Sequence, residues 1–305
     1  MDSEVSEYDI LFGDLEFPYN QKIQNFIRGQ RSKLSGSLFF DLLCSNIVGI
    51  QDVHLVYPPA KGEVLRDLFE QIDSANSDLL KKQLLLYYIL KDFGLQNAKE
   101  FSEQVLLPEA HKMLIDGVYY LDRFEFKSAM TMLTSPAVHL QFSEKILSTL
   151  LRYSDNGSHY IRIYVACKKP ALDTPTSMTL YLDAICKISV SSALEYIRAI
   201  PSQDRPEYIQ KMLDFSLSTN SSEVAYQIAN LPLAYDEEEI LMEYLSGRQD
   251  ITAKNIAIVR ELHRGHTQNA QKIAQSMNKQ LSTGTKSTFQ SVDLAKKLRA
   301  NASKI

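Results

Sequence analysis

The pattern of apolar and polar positions is helical along nearly the whole chain. Apolar residues recur three and four positions apart, which predicts amphipathic α-helices that each bury one face. The stretch DLLKKQLLLYYILKDFG, which begins at Asp78, is apolar nearly all round and closes on Gly94. An apolar surface on every side predicts a buried central helix, and a glycine suits the position just past its end.

Prolines and polar clusters divide the chain into segments of helical length. YPPAKG, LPEA, TSPA, KKPALDTPTS, IPSQDRPEY and LPLAYDEEE mark the boundaries, and a proline in the first turn of a helix is a common start signal. The acidic run from Asp236 to Glu239 is expected at a helix start. SHYIRIYVACKKP has enough β-branched and aromatic residues to pass for a strand, but it is interpreted as a helix that ends before Pro170. No pair of alternating strands with a hairpin turn is found, so the sequence predicts an all-α fold.

The stretch from Met113 to Pro136, MLIDGVYYLDRFEFKSAMTMLTSP, predicts two helices joined by a short polar break. Small residues at Gly117 and Ala129 would let the two helices approach closely, with aromatic side chains filling the space beside them. Such an αα-hairpin leaves an outer apolar face that needs neighbours. We therefore expect an irregular α-helical solenoid of stacked αα-hairpins, an architecture suited to binding proteins. The predicted apolar stripes are Leu114, Gly117, Val118 and Leu121 on the first helix, and Phe126, Ala129, Met130 and Leu133 on the second.

The same stretch resembles a known family. Its spacing is similar to a single tetratricopeptide unit, but the pattern does not repeat at a fixed period. Together with LFEQIDSANSDLLKKQLLLYYILKDFG, it more closely resembles the ELYS-like helical domain of nuclear pore proteins, and looser similarity covers residues 50 to 270. The positions that match the family pattern are Asp116, Gly117, Tyr119, Tyr120, Leu121, Asp122, Leu133 and Pro136.

The resemblance implies a scaffold nucleoporin at the nuclear pore complex, in the nucleus, with no catalytic residues and no cofactor. ELYS-type proteins attach to the outer-ring Y complex, so the implied partners are its β-propeller and α-solenoid subunits near the short arms. The implied role is support of pore assembly and of protein and mRNA transport. The chain resembles the short fungal form, without an N-terminal β-propeller or an arginine-glycine-proline DNA hook. Direct binding to DNA or chromatin is therefore not expected.

Composition argues against several classes of protein, including membrane-spanning, secreted and strongly basic nucleic-acid-binding proteins. The 305 residues carry a net charge of -4, which provides no global attraction to nucleic acid or acidic lipid. No apolar run reaches the length of a membrane span, and the acidic N-terminus is unlike a signal peptide. Cys44, Cys167 and Cys186 lie far apart in apolar runs and are expected to be reduced, buried thiols.

Neither a metal site nor a small-molecule substrate is expected. His263 and His266 are three residues apart in HRGH, but no cysteine or acidic cluster lies nearby in sequence to complete a metal site. Nucleophile elbows and phosphate-binding glycine motifs are absent from the sequence. Two alternatives to a nucleoporin remain at this point: a tetratricopeptide-like adaptor of another cytosolic or nuclear assembly, and a helical enzyme whose site is assembled from distant residues.

The two ends of the chain differ from the middle. We expect an acidic-aromatic segment over residues 1–30, a helical domain over 31–280 and a polar, basic tail over 281–305. The N-terminal segment either folds back on its own domain or becomes ordered on binding a partner. The tail either forms a solvated helix or contacts an acidic protein surface, with nucleic acid as the third option. The candidate partner-binding residues are Phe12, Leu15, Phe17, Tyr19, Lys296, Lys297 and Arg299.

Overall fold

All regular secondary structure in the described part of the chain is α-helical. The structure is a computed structural model that describes residues 6–139, 142–219 and 221–283, with side chains of the last helix described to Met277. It divides into two compact units, Met1–Asp173 and Thr174–Ile305. The predicted all-α class is therefore confirmed, and the consecutive packing of the helices is solenoid-like.

The first unit contains eleven helices among its described residues. They are α1 (Glu7–Phe12), α2 (Gln21–Lys33), α3 (Phe39–Val48), α4 (Val53–Val56), α5 (Gly62–Ser74), α6 (Leu79–Asp92), α7 (Leu95–Gln104), α8 (Glu109–Asp122), α9 (Phe126–Leu133), α10 (Ser143–Tyr153) and α11 (Gly157–Lys168). The second unit contains α12 (Pro175–Cys186), α13 (Val190–Ala199), α14 (Arg205–Ser218), α15 (Ser222–Ala229), α16 (Tyr235–Ser246), α17 (Ile251–His263) and α18 (Thr267–Thr283).

The helices begin where local chemistry satisfies their first amide groups. The Asn20 side chain accepts the Ile23 N–H at 3.1 Å at the start of α2. The predicted proline starts are found at α12, which begins at Pro175, and at α14, which has a proline at its second residue. The predicted acidic start is confirmed at α16, where three acidic residues occupy the first turn and complement the helix dipole.

The first unit is built around α6, the helix predicted to be buried. Every residue from Leu84 to Lys91 is buried, and α3, α6 and α8 all contact one another. The α8–α9 hairpin packs onto this group. The first unit is therefore more compact than a simple row of hairpins, because three non-consecutive helices share one core.

A buried ion pair joins α2 to the start of α3. The Arg31 guanidinium donates to both carboxylate oxygens of Asp41, each at 2.7 Å, and Asp41 also accepts the Leu38 N–H at 2.8 Å. One carboxylate thus caps the N-terminus of α3 and neutralises a buried cation. Paired and hydrogen-bonded charges of this kind are the form in which ionic groups are tolerated inside proteins.

The helices of the second unit pack mainly against their next or next-but-one neighbours, around a common apolar core. At the core boundary, Arg260 of α17 pairs with the buried Glu238 of α16. Its Nη1 donates to the backbone carbonyls of Ala229 at 3.2 Å and Leu231 at 2.7 Å. Arg260 therefore links three consecutive segments of the unit.

The division at residues 173 and 174 falls within the range 31–280 predicted as one helical domain, and the described part of the predicted N-terminal segment lies in the first unit. The predicted domain bounds stay a prediction. One expectation about the chain needs correction. The prediction of three buried thiols is wrong for Cys167, which is exposed because it lies in the last turn of α11, outside its buried face. Cys44 and Cys186 are buried as expected, and burial raises the pKa of the Cys186 thiol to about 12.

Candidate functional site

The α8–α9 hairpin carries the family-like residues and has the predicted form. A methyl group added at Gly117 would lie 2.5 Å from Cγ and Cδ2 of Leu133, so the glycine makes room for the facing helix. The contact that needs this space is a leucine side chain rather than a second backbone. The turn between the helices places Phe124 at φ +62°, a left-handed conformation that costs energy for a bulky residue.

Asp122, the last residue of α8, connects three helices through a fully buried carboxylate. Its Oδ1 accepts the Phe39 N–H at 2.7 Å, and its Oδ2 accepts the Phe40 N–H at 3.0 Å and the Tyr88 hydroxyl at 2.9 Å. The side chain therefore lies at the N-terminus of α3, where the helix dipole favours negative charge. Burial raises the pKa of Asp122 to about 6, against the opposing effect of the three donors.

Asp92, at the end of α6, collects three donors from separate parts of the first unit. Its Oδ2 accepts the hydroxyls of Tyr19 at 2.8 Å and Tyr57 at 2.7 Å, and its Oδ1 pairs with Arg123. The Arg123 guanidinium also lies 3.4 Å from the centre of the Tyr119 ring. Burial, followed by the nearby Asp92 charge, raises the pKa of Tyr19 and Tyr57 well above their ordinary value, so both hydroxyls remain donors.

Lys91 is enclosed by tyrosine rings. Its ammonium group pairs with Asp116 and lies 4.6 Å from the Tyr119 ring centre, 5.0 Å from that of Tyr120 and 5.6 Å from that of Tyr87. The Tyr87 hydroxyl donates to the same Asp116 oxygen at 3.0 Å. Burial lowers the pKa of Lys91, and the Asp116 carboxylate opposes this shift. The cation is thus stabilised by one carboxylate and three π faces.

Together these residues form one structural network, which we call the hairpin network: Tyr19, Tyr57, Tyr87, Tyr88, Lys91, Asp92, Asp116, Tyr119, Asp122 and Arg123. Of the family-like positions, the aspartates and Tyr119 bond within it, while Gly117, Leu121 and Leu133 are in the apolar core. Tyr120 is half-buried beside Lys91, and Pro136 is exposed beyond α9. The arrangement fixes helices relative to one another, because Lys91 and Arg123 are paired with aspartates and the Asp122 carboxylate accepts three hydrogen bonds.

Sequence reasoning missed Lys91, Asp92 and Arg123. Their signal is present in the sequence: two charged residues end a helix whose second half is otherwise apolar, and an arginine follows the last residue of α8. A charge on a face that must be buried predicts a buried partner. The break LDRFE predicts only a polar turn, so the pattern alone does not identify this partner.

The candidate N-terminal partner-binding residues have two different placements. Phe12 and Tyr19 are buried, with the Phe12 ring centre 5.2 Å from that of Phe93, and Tyr19 is part of the hairpin network. Both therefore contact their own unit, in keeping with the first of the two interpretations given above, and their part in binding a partner stays a prediction. Leu15 is half-buried and Phe17 remains 36% exposed, so a contact from this segment can involve only its outer side.

The remaining candidate positions are the basic residues of the tail and the two histidines of HRGH. Lys296, Lys297 and Arg299 lie outside the described residues. The Nδ1 atom of His266 lies 3.1 Å from Glu261 Oε2 at the end of α17. Across the ranges described, no group of three or more histidine, cysteine or acidic side chains could hold a metal ion, and no helix is long and apolar enough to span a bilayer.

The described helices form an all-α fold in which the residues of the sequence motif stabilise the packing of one helix on another. A family model for ELYS, described as nuclear pore complex assembly, matches residues 37–248. The chain is 34% identical over 239 residues to the uncharacterized protein ely5 of Schizosaccharomyces pombe, covering 78% of each chain. The chain therefore belongs to the ELYS family, and this membership implies a role in nuclear pore complex assembly.

Proposed function

We propose that the chain is a scaffold nucleoporin that binds the Y-shaped outer-ring complex of the nuclear pore. Its partners are the β-propeller and α-solenoid subunits near the short arms of that complex. It acts by surface complementarity and catalyses no reaction. In this position it supports pore assembly and, through the pore, the transport of proteins and mRNA.

The observation that carries the proposal is the family match over residues 37–248, which begins just before α3 and continues into the second unit. The fold supports it, because the charged groups of the hairpin network are used to hold helices together. Rigid helical faces can bind partners without large rearrangement, which lowers the entropic cost of association. The outward side of the N-terminal segment and the tail at 281–305 remain proposed contact regions.

Two measurements test this function. A fluorescent fusion of the full chain is expected to mark the nuclear rim in dots that coincide with a pore marker, with the fluorescent protein alone as control. The purified chain is expected to co-elute with reconstituted short-arm subunits in size-exclusion chromatography. A diffuse signal together with separate elution would contradict the proposal and favour the alternative helical adaptor.

A further inference from the structure

A pocket opens on the surface of the first unit. It encloses about 390 Å³ between the end of α2, the loop that follows it, and α10. This volume is at the small end of ligand pockets, so it can hold a few side chains but not a whole helix, which is about 10 Å across. Ser35, in the loop, adopts φ +60°, a left-handed conformation that is uncommon for a serine. We call this feature the α2–α10 pocket.

Three cationic side chains line the α2–α10 pocket: Lys33, Lys145 and Arg152. Lys33 and Arg152 are exposed, while Lys145 is half-buried and donates to Ser37 Oγ at 2.7 Å and to the Ser37 carbonyl. Glu144 also lines the pocket. Three cations against one carboxylate give a locally positive site on a chain whose net charge is -4. The charge of the pocket therefore favours an anionic group.

An aromatic stack fixes one wall of the pocket. The Tyr153 hydroxyl donates to the Lys33 carbonyl at 2.6 Å, and its ring stacks on Phe124 with centres 4.9 Å apart. The Lys33 ammonium lies 5.4 Å from the centre of the same Phe124 ring. Phe124 is the residue held in the left-handed conformation in the α8–α9 turn. Phe124, the residue with the strained backbone, is therefore also the residue whose ring contacts Lys33 at the pocket.

We propose that the α2–α10 pocket binds the carboxylate of an aspartate or glutamate on an extended segment of a partner protein. The planar fork of Arg152 matches a carboxylate in two parallel hydrogen bonds, and Lys33 adds a point charge beside it. A nucleic acid backbone fits less well, because Glu144 and the overall negative charge of the chain oppose a polyanion. The inference rests on the proposed scaffold function and names one contact surface for it.

The test uses the tagged full chain, isolated from cells after treatment with a carbodiimide, which joins an amine and a carboxylate in direct contact. Mass spectrometry then identifies the linked protein and the linked residues. The pocket variant is Lys33→Glu/Arg152→Glu. The matched control is Lys22→Glu/Lys127→Glu, which makes the same charge change at two exposed lysines outside the pocket. Equal thermal unfolding of both variants and the wild type checks folding.

The expected result is a link from Lys33 or Lys145 to an acidic residue of a pore protein. Recovery of that protein should fall at least about tenfold in the pocket variant and stay near wild type in the control. Links only at other lysines, with equal recovery in both variants, would overturn the pocket and leave the scaffold function standing. A link from the pocket to a protein that is not part of the pore would support the pocket as a binding site and overturn the scaffold function. If the wild type and the control bind single-stranded RNA and the pocket variant does not, the proposal that the pocket binds a protein carboxylate is overturned.

Discussion

The packing of Leu133 on Gly117 can be tested as the contact that brings α8 and α9 together. Replacing Gly117 with alanine in a helix interior normally stabilises the helix by about 1 kcal/mol. Here the new methyl group would lie 2.5 Å from Leu133 Cγ, and Leu133 is 1% exposed, so its side chain cannot move into solvent. Overpacking of a closed core costs about 1–3 kcal/mol. Because the clash involves a carbon close to the α9 backbone, we take the upper end and expect a net loss of about 2 kcal/mol.

The sign should reverse when the facing side chain is shortened. Leu133→Ala alone is expected to cost about 2–5 kcal/mol, but it removes the atoms that the new methyl group would meet. In that background Gly117→Ala should stabilise the protein by about 1 kcal/mol. The two substitutions should therefore couple by about 3 kcal/mol in a double-mutant cycle.

Urea unfolding followed by far-ultraviolet circular dichroism measures all four variants, since the chain has no tryptophan to report by fluorescence. Equal urea dependence of the unfolding free energy would show that the unfolded states are comparable. If Gly117→Ala stabilises the wild type, or has the same effect in both backgrounds, the hairpin is not closed by Leu133 packing on Gly117.

Three further predictions concern the buried groups. Burial raises the pKa of Asp122 from 3.8 to about 6, so the native state binds the proton more tightly than the unfolded state. The stability of the wild type relative to Asp122→Asn should therefore fall by about 2 kcal/mol as pH rises from 4 to 7, and a flat difference would contradict this. Phe12→Ala should cost about 3–5 kcal/mol in thermal or urea unfolding, and the exposed control Phe17→Ala less than about 1 kcal/mol. Arg260→Ala should lower the free energy of unfolding by about 3–5 kcal/mol, because it leaves a buried carboxylate unpaired. Arg248→Ala removes a more exposed ion pair and should lower it by less than about 1 kcal/mol. Equal losses in urea unfolding would refute the difference between the buried and the exposed pair.

The helices could be predicted because their signals are local. The all-round apolar stretch that became α6 and the stripe of α9 needed only the helical period, and all four predicted α9 positions are buried. On α8 the stripe was placed correctly at Gly117, Val118 and Leu121, but Leu114 is only half-buried. The acidic first turn of α16 could likewise be predicted, because the helix dipole acts on charges within one turn of the helix end.

The hairpin network could not be predicted in the same way, because its partners are distant in sequence. Asp122 bonds to residues 82 and 83 positions away, and Tyr19 reaches Asp92 across 73 positions. Periodicity identifies which face of a helix is buried, but it does not identify which buried polar group meets which. The N-terminal aromatic residues have two open interpretations in the sequence for the same reason, because the pattern does not show the contacts of Phe12 with α5 and of Tyr19 with α6.

The division of the chain was also beyond local reasoning. The proline-rich KKPALDTPTS segment resembled the other helix boundaries in composition, yet it contains the limit between the two compact units. A boundary between units is defined by the scarcity of contacts across it, which is a property of the folded chain. The α2–α10 pocket was missed similarly, since Lys33 and Arg152 are more than a hundred residues apart.

The buried tyrosine side chains of the first unit affect its ultraviolet absorption. Tyr19, Tyr57 and Tyr88 are enclosed, and burial raises the pKa of each well above its ordinary value of 10.0. In mild alkali their rings will therefore keep the absorption of the neutral form for as long as the core stays closed. A delayed absorbance step would then report the opening of this core directly, so the protein carries its own optical probe of unfolding.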